Sequence, residues 1–316
     1  MCENDALPTS RLVPTCPVHE RFATRFGVKL MPEFYERFRD GWERALDVTQ
    51  LILVPIVFAS TEISKIQSVL AHDGVHIGFT FGLPISVGTV WQFVSPPNSG
   101  LNVYLGVPVG RQPAVLVPVF ALLVVKAALA AGYFGSIKTH LETGEYDFFA
   151  SARSHFVPFF VLTVVPFLAL LPFEVGIGLN ATDLPTNLAA IVAVLIVLFF
   201  IAVYLLYATP YLVVLRDTSL LEAIRGSVSF AIRGGPYLWY FLGYGFFVLI
   251  ISVFASAFVV NVPGIGLVVG IIGGGLLGLA LNITTMRFVA DIDPESPDIG
   301  TWEDSESGTA QKGFEK

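Results

Sequence analysis

The chain has 316 residues, 54% of them hydrophobic and only 14% charged, with a mean hydropathy of +0.72. A soluble domain carries roughly 25% charged residues, so there is too little polar surface here to coat a water-exposed globule. The formal net charge of −7 argues against a nucleic-acid partner, because phosphate binding needs clustered Lys and Arg.

Residues 1–30 are polar and hold both cysteines, Cys2 and Cys16. They lack a basic start followed by an apolar core, so no cleavable signal peptide is expected. Cys2, Cys16 and His19 match no zinc spacing, and a disordered cytoplasmic segment is expected here. The membrane domain follows over 31–290. Its first element is amphipathic: Phe34, Phe38, Trp42 and Leu46 recur every four residues against Glu36, Arg37, Arg39, Asp40 and Glu43.

About 20 apolar residues cross a hydrocarbon core. Residues 45–66 form a weak candidate span, with Asp47, Glu62 and Lys65 near its ends, where they can snorkel to the interfaces. An outer loop rich in Gly and Pro, 67–112, reads as a folded cap or a re-entrant segment, since it is too apolar to be disordered. Stronger spans follow at 113–137, 156–175, 188–213, 236–260 and 264–289. Two more short amphipathic helices are expected, at 145–156 and at 219–232. In the second, Ser219 and Glu222 are placed as a capping box. The stretch 291–316 is acidic and poor in apolar residues, so it is expected to be a disordered cytoplasmic tail.

Six spans with both ends inside put 15 Lys and Arg on the cytoplasmic side against Lys65 and Arg111 outside. This is the asymmetry that orients helices in the cell membrane. The fold expected is therefore an all-α integral membrane bundle of six transmembrane helices with short cytoplasmic amphipathic helices. An ungapped offset of 78 residues aligns Tyr133 with Tyr211, Lys138 with Arg216, Pro158 with Pro236 and Phe159 with Tyr237. These matches point to three tandem helix-hairpin units, 33–137, 138–215 and 216–290, with chance as the competing explanation.

The chemistry-bearing candidates are few. Lys126 is the one charge near a span centre, where a Lys costs about 3 kcal/mol against roughly 4 to 7 kcal/mol offered by the apolar residues of that span. By helical rise Lys126 lies roughly 18 Å from the inner edge, and its amine reaches about 5 Å further. Glu62 and Glu174 fall at about 25 and 27 Å, so Lys126 is expected to pair with one of them. His72, Asp73 and His76 are weak metal candidates, with Gly74 between them and no fourth ligand. Gly266, Gly270, Gly274 and Gly278 repeat every four residues, and Asn282 continues the row. Such a row lets a neighbouring backbone approach closely, and the partner is either this chain or a second copy. Tyr204, Tyr207, Tyr211, Tyr237, Trp239, Tyr240 and Tyr244 read as an aromatic belt at the inner ends of two spans.

The stretches FYERFRDGWERALDVTQLILVPIVF, GYFGSIKTHLETGEYDFFASARSHFVPFF and RDTSLLEAIRGSVSFAIRGGPYLWYF resemble uncharacterised polytopic membrane proteins of halophilic archaea and some bacilli. More remotely they resemble the membrane domain that precedes some glycerophosphodiester phosphodiesterases. The resemblance covers about residues 30–290 and brings no functional residue with it. The phosphodiesterase's soluble catalytic domain has no counterpart, and no nucleophile elbow, P-loop or dinucleotide fingerprint occurs. The first expectation is a non-enzymatic bundle that binds lipid or organises a membrane-protein partner, or a second copy, without a cofactor. A small permease with Lys126 in its path comes second, and an intramembrane enzyme third.

Overall fold

The computed structural model describes residues 30–84, 86–97, 116–176, 186–262 and 264–299, and all regular structure among them is helical. Helix α1, Leu30–Asp47, keeps Arg39 and Glu43 on its exposed face as an i,i+4 pair 3.1 Å apart. Its other face buries Phe34 among Tyr240, Tyr244 and Phe247.

A 3-10 turn, Thr49–Ile52, leads into α2, Leu53–Ser60, and then α3, Ile63–Leu70. The single span expected over 45–66 is thus two helices bent by 77°. The bend has a local cause. Glu62 leaves the helical region at φ −84°, ψ 59°. The hydroxyls of Ser60 and Thr61 donate to the carbonyls of Ile56 and Phe58, at 2.8 and 2.7 Å, and so satisfy the last turn of α2.

Helices α4, Leu116–Thr143, and α5, Phe148–Gly176, form an antiparallel hairpin. Gly144 makes the turn at φ +79°, and the Asp147 carboxylate accepts the Phe149 and Ala150 amides at 3.0 Å to start α5. Gly132 lies against the Phe148 ring and Gly135 against Ser151, so the two backbones lie close. The separate helix expected over 145–156 does not exist, because nothing between Phe148 and Val157 interrupts α5. The contrast is with α8, Leu220–Arg233, where the Ser219–Glu222 capping box starts the helix. Gly234 and Gly235, at φ +63° and +58°, end it before α9, Pro236–Asn261.

Between these lie α6, Thr186–Leu206, and α7, Thr209–Leu215. Helix α10, Ile265–Ile292, follows α9 after a turn at Gly264. Five stretches are long and apolar enough to cross a membrane: Val117–Thr143, Phe148–Ala169, Val194–Leu215, Pro236–Asn261 and Ile265–Ile292. The bent pair makes a sixth if it counts as one. Large apolar side chains such as Val194, Val197, Phe254 and Val268 lie exposed on their outer faces, a surface that suits lipid as solvent and water poorly.

In the outer loop, residues 72–84 and 86–97 run against α9 and α10, with Val75, Ile77, Phe79 and Phe81 exposed and Val87, Val90, Phe93 and Val94 buried, as described below. One expectation about the non-helical parts, that for the tail, changes. The tail does not become disordered at residue 291. Asp293 and Ile299 are both 3% exposed, because Arg216 holds the first and the core cluster takes the second. The expected disordered segments otherwise lie outside the described residues, as do Cys2, Cys16 and His19.

Candidate functional site

Beside the junction of α2 with α4 and α5 lies a cleft of about 310 Å³ lined by Gln50, Leu51, Leu53, Val54, Val57, Leu129, Tyr146 and Phe148. Its walls are almost wholly apolar. Leu53 and Val57 stand 63% and 42% exposed at the mouth, so the cleft opens sideways, in the direction of the lipid-facing surface. One end is polar: the Tyr146 hydroxyl donates to Gln50 Oε1 at 2.6 Å. The groove is lined by the 3-10 turn and the start of α2 on one side, and by Leu129 of α4 with Tyr146 and Phe148 on the other.

Beyond the end of α2, at the 77° bend, three charges meet. Lys126 Nζ lies 3.5 Å from Glu62 Oε1, and Lys65 Nζ lies 3.6 Å from Glu62 Oε2. All three side chains are less than a fifth exposed. Two aromatic faces add to the attraction: Lys126 sits over Phe58 at 5.5 Å and Lys65 over Trp91 at 5.9 Å. A buried pair of this kind is strongly destabilised when one member is lost. Lys126 lines neither the lateral cleft nor the second cleft described below. The side chain of Glu174, the other partner considered for Lys126, lies outside the described residues.

The inserted segment is held by side chains of α9 and α10. The His76 amide donates to Asn261 Oδ1 at 2.7 Å, and Asn261 Nδ2 donates back to the His76 carbonyl at 2.8 Å. The Thr80 and Ser95 amides donate to the hydroxyls of Ser252 and Ser256 at 3.0 and 2.9 Å. At the deepest point the Gly88 amide donates to Asn282 Oδ1 at 2.9 Å, and Asn282 Nδ2 donates to the Ser86 carbonyl at 3.0 Å. Asn282 is seventeen residues into α10, about 25 Å from that end of the helix at 1.5 Å per residue. Irregular backbone at such depth is tolerated only where protein groups satisfy it. Here they do.

Around Asn282 the polar contacts continue. Tyr133 donates to Asn282 Oδ1 at 3.1 Å, and Asn282 Nδ2 donates to the Tyr211 hydroxyl at 2.8 Å. Gln92 Nε2 donates to the Tyr244 hydroxyl at 2.9 Å and to the Leu83 carbonyl at 2.7 Å. Tyr133, Tyr207, Tyr211, Tyr237 and Tyr244 are at most 1% exposed. The aromatic belt is therefore largely core: only Trp239, at 49%, stands well exposed. The reason is that their hydroxyls find partners inside the protein, such as the Tyr237 carbonyl for Tyr207, and have no need of headgroups.

The four glycines of α10 face this chain's own atoms. Gly266 and Gly270 pack against Phe258 and Val259 of α9, whereas Gly274 and Gly278 pack against Val90 and Gly88 of the inserted segment. Gly266 and Gly270 thus meet another helix, whereas at Gly274 and Gly278 the close neighbour is the inserted segment. His72 and His76 have rings 5.6 Å apart, but His76 Nε2 is taken by the Ser95 carbonyl at 2.9 Å. Among the described residues no three His, Cys, Asp or Glu side chains converge as metal ligands.

Sequence reasoning missed the ionic contacts at the end of the bundle where α1 begins and α10 ends. Buried Arg287 pairs with Asp40, and Arg37 meets Asp291 at 2.8 Å. Asp217, held at φ +46°, takes Lys138 at 2.6 Å and His155 at 2.9 Å. Arg216 forks onto Asp293 at 2.8 and 2.6 Å. Partial burial alone raises the Asp217 and Asp293 carboxyls, but the hydrogen bonds from Lys138 and His155 to the first, and from Arg216 and Ser296 to the second, outweigh it. Both end below the usual carboxylate range. Comparison with protein-family models, curated proteins and solved structures gives no match.

Proposed function

We propose that the chain is a non-enzymatic, six-span bundle of the cell membrane, with both ends cytoplasmic, that holds a lipid acyl chain in the lateral cleft. One observation carries this reading: an apolar groove of about 310 Å³, open sideways between Leu53 and Val57 and polar only at Gln50 and Tyr146. That is the shape and polarity of a seat for an alkyl chain lying along the bundle. The six-span count treats the bent α2–α3 pair as one broken span, and the positive charges favour the orientation.

Three-unit organisation has support in the ion pairs. Lys138 and Arg216, aligned at the 78-residue offset, each pair with an acidic residue 79 or 77 positions on, Asp217 and Asp293. Tyr133 and Tyr211, aligned at the same offset, both bond Asn282.

The test is native mass spectrometry of the full chain released from mild detergent. The parent should retain lipid adducts, and Val57→Trp, which fills the mouth from an exposed position, should lose most of them while melting at the parent's temperature. Equal retention in both would end the proposal. A permease with Lys126 in its path is the second reading, favoured by the buried Lys126–Glu62 contact. For that reading Lys126→Arg, which keeps a charge beside Glu62, should retain uptake in vesicles, whereas Lys126→Met should abolish uptake per folded molecule as well as lowering stability.

A further inference from the structure

A second cleft, of about 580 Å³, lies away from the lateral groove, between α8 and the residues that follow α10. It is lined by Arg216, Arg225 and Arg233, by Thr218 and Ser229, and by Asp293 and Glu295. Arg225, Ser229 and Arg233 follow one another at four-residue spacing along α8, so they share one helix face. Among the described residues Arg225 has no ion pair within 4 Å, only the longer-range attraction of Glu222 one turn earlier, and Arg233 meets the ring of Phe230 at 5.9 Å. The next row of the same helix carries Leu221 and Ile232, 66% and 78% exposed. An arginine row beside an exposed apolar row is the arrangement of a helix lying at headgroup level.

The third arginine is already occupied. Asp293, whose side chain is fully buried, takes the fork of Arg216 and is itself fixed by Ser296 and the Glu295 amide. Glu295 is different. Its carboxylate lies 2.7 Å from Arg216 Nη1, yet its side chain is 71% exposed and has no other ion pair among the described residues. Glu222 also lines the cleft, but its carboxylate is engaged by Thr218 and Ser219 at the start of α8. Among the described residues lining the cleft, the cheaply displaced anion is therefore Glu295.

We propose that this cleft is a binding site for a phosphomonoester anion, gripped by Arg225, Arg233 and the Nη1 edge of Arg216, and that Glu295 is a built-in competitor which must swing away on binding. Phosphate oxygens suit the planar forks of arginine, and Ser229 lies between Arg225 and Arg233 in the row and offers a hydroxyl. The anion can be a lipid headgroup or free phosphate. The exposed Leu221 and Ile232 favour the headgroup. This inference does not rest on the lateral groove, and each can fail without the other.

The test uses the full chain in two settings. In neutral detergent, inorganic phosphate is titrated and the melting temperature followed. In nanodiscs, phosphatidylcholine is compared with phosphatidylcholine containing phosphatidic acid. Stabilisation by both probes, or by phosphatidic acid alone, assigns the site to a lipid headgroup; stabilisation by phosphate alone assigns it to a soluble anion. The double variant Arg225→Gln/Arg233→Gln removes two exposed side chains. It should weaken binding about tenfold or more, while Glu295→Gln should strengthen it about threefold. The control Arg39→Gln, on α1, should leave affinity alone. The site is overturned if neither probe stabilises the parent, if the double variant binds like the parent, or if Arg39→Gln loses as much. Unchanged affinity in Glu295→Gln overturns the competitor.

Discussion

Two parts of the molecule tie distant segments together by opposite means. The inserted segment 72–97 is stitched to α9 and α10 by neutral groups: amides, hydroxyls and the side-chain amides of Asn261 and Asn282. The end where α1 begins and α10 finishes is tied by charges, Arg216 to Asp293, Lys138 and His155 to Asp217, Arg287 to Asp40. The difference follows from the medium. A neutral hydrogen bond in a dry interior needs no counter-charge and carries a low desolvation cost, whereas ion pairs are inexpensive where water reaches one face. The charged group at the 77° bend lies apart from that end, and there Lys126 and Lys65 share one carboxylate between them.

The contrast can be broken first at Gly278. A Cβ there would lie 2.0 Å from the Gly88 carbonyl oxygen, and the obstacle is backbone on both sides. Gly278→Val should cost about 4 kcal/mol, beyond the usual range for overpacking, because no flexible side chain can yield. Thermal unfolding in detergent would read it, and a variant as stable as the parent would show that the segment does not sit against α10. Asn282→Leu comes next. It strands the Gly88 amide, the Ser86 carbonyl and the hydroxyls of Tyr133 and Tyr211 together, for an expected loss of about 3 kcal/mol. That loss should be indifferent to salt, which is what separates this region from the other.

The hydrophobic runs made the long helices legible, because a 20-residue apolar block has one stable arrangement in lipid. The bend at Glu62 was not. Window averages record how apolar a stretch is, and they are blind to a carboxylate that gains counter-charges from a different helix. The same limit hid the Asn282 hub. The Gly row and Asn282 were visible as a stripe, but the Ser86 and Gly88 backbone that completes it lies nearly 200 residues away. The tyrosines misled for a related reason: a ring near a span end has the same local sequence whether its hydroxyl meets headgroups or a buried partner. In the tail, composition spoke for disorder from residue 291, while one buried carboxylate, Asp293, anchors its first residues against Arg216.

At the ionic end the effects are smaller and respond to the solvent. Asp293→Asn removes the acceptor of a forked Arg216 contact whose carboxylate is fully buried, and should cost about 2 kcal/mol. Part of that should vanish at about 1 M salt, where screening reaches within about 3 Å. If the loss is as salt-indifferent as that of Asn282→Leu, the two regions are not held differently.

Asp217 is the mildest case, and acid is the sharper probe of it. Its side chain is 64% exposed, so Asp217→Asn should cost only about 0.5 kcal/mol. Both Asp217 and Asp293 titrate below the ordinary carboxylate value of about 4. A carboxyl lowered on folding contributes stability that is fully present above its unfolded value and fades as the pH falls through its folded one. The ionic end should therefore hold unchanged from neutrality to about pH 5 and loosen below about pH 4. The amide hydrogens of Thr80, Gly88 and Ser95, held by the hydroxyls of Ser252 and Ser256 and by the side-chain amide of Asn282, should stay protected through the same range. Hydrogen exchange at the two ends across that pH series makes the comparison directly, and simultaneous loss of protection at both would mean that they unfold as one unit.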